Sequence, residues 1–292
     1  MNTQTTNWQE EIAAPLDVRR QLDQFVRSLC ENDENGLIGI YLHGSLAMGC
    51  YQPQRSDIDL LVLLDKPPDA SRCRTWAEQV LAASAAPAPI EISFLHYSQY
   101  TPWRHPTPFS FHFSEEWRPR VVQALQDGSW QARDWQPMTD PDLAAHFTVT
   151  RRRGICLAGA PVETAIPDVP WADYLDSIGT DLRWASERAN ANPVYLALNA
   201  CRVWAAAAAG LVLSKAEGVE WAQPKLPTEL AAIVARAAAS GEATASVSSV
   251  EPISASQAQH VAQWIGQRIQ ACAPAGSMSG EKGAEKDVPA TA

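Results

Sequence analysis

The chain has 292 residues, 46% of them hydrophobic and 19% charged, enough to bury a substantial core, and two domains are expected. Its 23 Lys and Arg against 33 Asp and Glu give a net charge of -10, which repels a phosphate backbone, excludes a general basic surface for nucleic acid, and suits a cationic partner better. The start, MNTQTTNWQEE, has neither a basic leader nor an apolar run, and the longest apolar stretch, residues 203–213, is too short to cross a bilayer, so a cytoplasmic monomer with no membrane partner is expected.

In chain order, Leu16, Leu22, Phe25, Val26 and Leu29 recur at helical spacing, predicting a helix over 12–30 that ends in a polar loop. LIGIYLH (37–43), DIDLLVLL (57–64) and the strictly alternating IEISFL (90–95) read as strands. Between the second and third, Trp76, Val80 and Leu81 stripe a helix over 71–83. Past residue 160 the strand signals stop, and alanine-rich helical periodicity takes over at 174–189, 193–213, 228–239 and 256–272. Pro193 suits a first helical position and Thr228 an N-cap.

The fold class expected is therefore α+β: a small mixed sheet with helices over residues 1–160, a helical bundle over 161–272, and a disordered polar tail over 273–292. The six cysteines (Cys30, Cys50, Cys73, Cys156, Cys201, Cys272) show no CxxC pair or Cys/His cluster and read as reduced thiols.

The chemistry concentrates where His43-Gly44-Ser45 ends one strand and Ser56-Asp57-Ile58-Asp59 opens the next. Residues two apart on a strand share a face, so Asp57 and Asp59 project together while Ile58, Leu60, Val62 and Leu64 face the core. Two carboxylates at the edge of a buried sheet are costly unless neutralised, and hard oxygen ligands suit magnesium bridging a triphosphate. Gly44 would let the backbone approach a phosphate, with Ser45 adding a hydroxyl and N–H donors. On the third strand Glu91 lies opposite Ile90, Ile92 and Phe94, placed either to take a proton from an attacking hydroxyl or to complete a metal shell. The Arg151-Arg152-Arg153 run reads as a solvated helix end with phosphate contact as the alternative, and His96, His105 and His112 as structural.

The GS and DxD pair resembles the signature of the nucleotidyltransferase superfamily related to DNA polymerase beta. YLHGS, SDIDLLV, IEISFL, TPWRHPTPFSFHFSEEW, GICLAG and CRVWAAAAAGLVLSKAEGVEWA followed by KLP, in that order over residues 36–236, resemble the streptomycin/spectinomycin adenylyltransferase family. That resemblance implies transfer of AMP from ATP, with Mg2+, to a hydroxyl of a small polar, cationic antibiotic, releasing pyrophosphate. It implies nucleotide binding by Gly44, Ser45 and Lys215, metal binding by Asp57, Asp59 and Glu91, Glu91 as catalytic base, and Trp117 lining the antibiotic pocket. By itself, Lys215 reads as a flexible ammonium after a long helix or as an ordinary surface lysine, and Trp117 as packing. Where the family places acids for the antibiotic's cations, this chain has neutral Asn190 and Asn192, with Asp173, Asp176, Asp181 and Glu187 upstream as candidates to compensate. The alternatives are another acceptor on the same fold, or a nucleotide-binding protein with little turnover.

Overall fold

The computed structural model describes residues 8–31, 36–53, 55–130, 138–242 and 251–272; the tail expected over 273–292 lies outside them. Helix α1 (Leu16–Cys30) begins later than the periodicity suggests, because Pro15 occupies its N-cap and the residue before a proline avoids helical geometry. Its stripe of Val18, Leu22, Phe25, Val26 and Leu29 is buried.

Strands β1 (Leu37–His43), β2 (Ile58–Leu64) and β3 (Ile90–His96) form as expected, with the four-residue α2 (Gly44–Ala47) after β1 and α3 (Ala70–Ala83) between β2 and β3. The Asp69 side chain caps α3 by accepting from the Arg72 N–H. The stretch after β3 is broken into short pieces: α4 (Tyr97–Tyr100), β4 (Thr107–Phe109), β5 (Phe111–Phe113), α5 (Arg118–Gln126) and β6 (Met138–Asp140). Helix α6 (Leu143–Arg153) and β7 (Ile155–Gly159) complete this half.

The main sheet runs β5-β3-β2-β1-β7, with β2 and β3 parallel and the other neighbours antiparallel; β4 and β6 pair separately. Strand alternation sorts its two faces. Ile40, Leu42, Leu60, Val62, Ile92 and Phe94 pack with α1 and α3, where Trp76 stacks on Phe94 at 4.2 Å. Tyr41, Leu61, Leu63 and Leu95 pack on the other side against Leu143 and Phe147 of α6.

Helices α7 (Val162–Ala165), α8 (Trp171–Glu187), α9 (Pro193–Ala209), α10 (Lys215–Ala222), α11 (Thr228–Glu242) and α12 (Ala255–Cys272) follow. Helix α9 is central, buried along Leu196, Ala197, Ala200, Cys201, Trp204 and Ala205, and the small Ala197, Ala200, Cys201 and Ala205 let α8, α10, α11 and α12 approach closely. It stops at Ala209, short of the expected Leu213, because Gly210 takes the left-handed conformation (φ 67°) that ends helices. Thr228 is the first residue of α11 and not its cap; the Pro227 carbonyl accepts the Ala231 N–H. Among the described residues no helix is long and apolar enough to cross a membrane, and Cys50, Cys73 and Cys201 are free thiols.

Candidate active site

Register builds the site. His43 on β1 lies opposite Asp59 on β2, and Asp59 opposite Glu91 on β3, so the three side chains form one row on the face covered by α6. Asp57 precedes β2, and Ile58 N–H donates to the Pro89 carbonyl at 2.8 Å, tying the start of β2 to β3. One step down the same face, the Ser93 hydroxyl and His112 Nδ1 are 3.0 Å apart. Burial, then Asp140 and His146, govern His112, whose net shift is down to about 4.

Gly44 brings its turn close against Asp59. It sits at φ 64°, and a Cβ there would collide with the Asp59 carboxylate. The next residue, Ser45, donates its backbone N–H to that carboxylate. Ser45 Oγ is itself buried and has no hydrogen-bond partner among the described residues.

The row is short of positive charge. Burial first, and then Glu91 and Asp57, hold Asp59 well above the usual carboxylate range. Asp57 is raised by burial and by Glu115. Glu91 is raised by burial, with Asp57, Asp140 and Asp142 adding to it and His146 opposing. Among the described residues no three His, Cys, Asp or Glu side chains already form a metal-binding group, so the carboxylates converge as a field and not as a finished cage.

Lys215 is the cation that answers this field, opposing the upward shifts of both Asp57 and Asp59. It is neither a flexible tether nor an ordinary surface lysine: it is half-buried as the first residue of α10, which a capping box of Ser214 and Glu217 starts. Gly218 lets α10 lie flush on α9, since a Cβ there would meet the Arg202 backbone at 2.9 Å. Burial and Arg202 lower the ammonium's pKa, while Asp59 and Asp181 oppose the shift. Its Nζ stands 4.4 Å from the Tyr195 ring centroid. The Tyr195 hydroxyl donates to Asp181 at 2.8 and 2.9 Å, Asn199 Nδ2 donates to it at 2.9 Å, and Arg202 lies 3.4 Å away.

Arg153, read from the sequence as solvated or phosphate-bound, instead grips this cap from the end of α6. Its guanidinium donates to Glu217 at 3.0 and 3.2 Å and to the Val212 carbonyl at 3.4 Å. Arg151 meets Asp168 at 3.4 Å, and Arg152 is exposed. Arg153→Met should loosen the start of α10 and lower the unfolding temperature by a few degrees. Thermal unfolding unchanged from the parent would show that the cap holds Lys215 unaided.

Trp117 is half-buried at the N-cap of α5, with His112 edge-on at 5.4 Å and the Arg120 guanidinium 5.1 Å above its ring. Asn192 caps α9 by accepting the Tyr195 N–H at 3.0 Å, and Asn190 is exposed. The acids upstream are engaged within the chain: Asp173 by Trp103 Nε1 and Asp176 by His105 Nε2, both at 2.9 Å, and Asp181 as above. Glu187 is exposed and 3.9 Å from Arg188.

Sequence reading gave no role to His43, His146, Tyr195 or Arg202, and considered Asp181 only as an acid for the acceptor's cations. The signal for His43 was available, because it shares the alternation that places Asp59. His146 lies three residues after Leu143 and one before Phe147, on the edge of the buried stripe of α6, which only the packed structure turns toward Glu91.

Comparison with known proteins gives the same order of parts. Residues 22–114 match the nucleotidyltransferase domain, and residues 164–264 match the C-terminal domain of aminoglycoside adenylyltransferase. The chain is 27% identical over 244 residues to an aminoglycoside (3'') (9) adenylyltransferase of Shigella flexneri, covering 77% of this chain and 86% of that protein. It is 26% identical over 201 residues to a spectinomycin 9-adenylyltransferase of Staphylococcus aureus, covering 67% and 74%. In fold it is similar to the crystal structure of a spectinomycin adenyltransferase from Enterococcus faecialis with ATP and spectinomycin, at a TM-score of 0.71 and 18% identity, covering 86% of this chain and 98% of that one. In the identity and order of its two matched domains the chain is similar to the aminoglycoside adenylyltransferases, a nucleotidyltransferase domain followed by their C-terminal domain.

Proposed function

We propose that the chain transfers AMP from ATP to a hydroxyl of an aminoglycoside-type antibiotic, spectinomycin or streptomycin being the candidates, and releases pyrophosphate. What carries the reading is the in-register row of Asp59 and Glu91, with Asp57 beside it and Lys215 facing it. Residues 1–160 would supply the row and 161–272 the lysine, closing on the nucleotide from the other side.

Asp57 and Asp59 would hold Mg2+: both are hard oxygen donors in surroundings that raise their pKa values for want of positive charge. Bound there, the metal would neutralise charge building on the phosphates. Ser45 Oγ, buried and without a partner, is suited to a phosphate oxygen, and Lys215 to the triphosphate. Glu91 takes the proton of the acceptor hydroxyl as that oxygen bonds to the α-phosphorus. The bond from the α-phosphorus to the bridging oxygen breaks, and its electrons leave with pyrophosphate. Trp117 is assigned to the acceptor's wall. With Asp173, Asp176 and Asp181 each already accepting a hydrogen bond within the chain, acceptor recognition would lean more on hydroxyls and shape than on paired charges.

Mass spectrometry of spectinomycin, streptomycin and other aminoglycosides after incubation with ATP and Mg2+ is expected to show one added AMP and matching pyrophosphate, both abolished by excess EDTA. ATP binding with no product across that panel would overturn the antibiotic reading in favour of another acceptor or a nucleotide-binding role.

A further inference from the structure

We propose that His146, backed by His43, is a positioning residue that holds the Glu91 carboxylate in place to receive the acceptor's proton. The proposal rests on the adenylyl-transfer reading and deepens it, naming what keeps the proton acceptor in its working orientation.

Glu91 has a long side chain on a strand, and its nearest charged company is mostly repulsive: Asp57, Asp140 and Asp142 all disfavour its charged form. A carboxylate so placed turns away from its neighbours unless something attracts it. His146 is that attraction, with Nε2 4.0 Å from Glu91 Oε1. This is about 1 Å beyond a hydrogen bond, a gap of the kind that closes when substrate fills a site. Facing Oε1, His146 leaves Oε2 for the acceptor hydroxyl.

The histidine itself has little freedom to retreat. Leu143 and Phe147, on either side of it in α6, are fully buried against Tyr41, Leu61 and Leu95. The Phe147 ring is 5.5 Å from Tyr100 and 5.3 Å from Trp103, which fixes the rotation of α6 about its axis. Behind the His146 ring stands that of His43, at 4.8 Å and tilted by 40°. His43 is only 4% exposed, and its Nε2 has no hydrogen-bond partner among the described residues. Such burial costs stability without a compensating bond, as expected of a ring kept as a backstop. His146 faces Glu91 and would act on the reacting atoms only through that carboxylate. Immobilising one general base in its productive orientation is worth about 10- to 100-fold in rate.

The test uses the full chain with Glu91→Gln, His146→Ala and His146→Gln variants, reading kcat, KM for ATP and for the acceptor, ATP affinity by calorimetry, and thermal unfolding. His146→Ala should lower kcat roughly 10- to 100-fold with KM for ATP within about twofold of the parent. His146→Gln, whose amide can donate to a carboxylate, should recover part of that loss. A His146→Ala variant of normal kcat beside an inactive Glu91→Gln would overturn the proposal and leave Glu91 as base. Near-normal kcat in Glu91→Gln would remove the base reading and the proposal with it. Equal loss in both His146 variants, or an ATP affinity that falls as far as kcat, would make the histidine structural. With a non-hydrolysable ATP analogue bound, a crystal structure should place His146 Nε2 within about 3.2 Å of Glu91, and a ring turned away from it would overturn the proposal independently of the acceptor used.

Discussion

Asp59→Asn should abolish AMP transfer, by about 10³-fold or more, while making the metal-free protein harder to unfold. The two effects come from one side chain. Asp59 lies in a row with Glu91 and beside Asp57, and burial and those two carboxylates push its pKa well above the ordinary value of 3.8. The folded chain therefore keeps the proton to higher pH than the unfolded chain does. Metal-free stability falls as pH rises from the ordinary range toward the raised one, and remains reduced above it. Asparagine has the same shape and can still accept the Ser45 N–H, but carries no charge, so that loss of stability vanishes together with the proposed Mg2+ ligand. Thermal unfolding across pH, with and without Mg-ATP, would read both effects. The parent should be stabilised by Mg-ATP much more than the variant. A variant that turns over normally, or that unfolds at lower temperature than the metal-free parent at neutral pH, would sink this account of Asp59.

How much of this was legible beforehand depends on the range of the signal. The strands carrying His43, Asp59 and Glu91 alternate with period two, so their facing could be read from a few consecutive residues, and the row follows once the strands pair in register. The three-residue strands β4, β5 and β6 are too short to show any period, and they went unread. The alanine-rich run past Val203 carried the expected helix through Gly210 to Leu213, although the S-x-x-E box of Ser214 and Glu217 was a local sign that a new helix begins there. Missing that box left Lys215 as a loose cation, whereas the cap, the Gly218 contact and Arg153 hold it in place. The roles of His146 and Asp181 were of another kind. Each depends on which helix face meets which strand or helix across more than a dozen intervening residues, and helical spacing alone does not say.

Gly44→Ala should damage turnover second only to losing Asp59, and for a reason separable from backbone strain. At φ 64° any Cβ costs about 1–2 kcal/mol from local crowding alone. At Gly44 that Cβ would also collide with the Asp59 carboxylate, so either β2 or the turn carrying Ser45 must shift. A displacement near 1 Å at a reacting centre costs on the order of 10²-fold in rate. Gly128 separates the two effects, because it has the same left-handed backbone, φ 74°, but nothing within 4 Å of an added Cβ. Gly128→Ala should lower the unfolding temperature by a few degrees through strain while leaving kcat within about twofold. Gly44→Ala should lower it at least as far and lose about 10²-fold or more in kcat/KM. If the two variants lost stability alike and both kept turnover, Gly44 would be only a turn residue. The divergence expected between them follows from Asp59, which occupies the space that a side chain at position 44 would need.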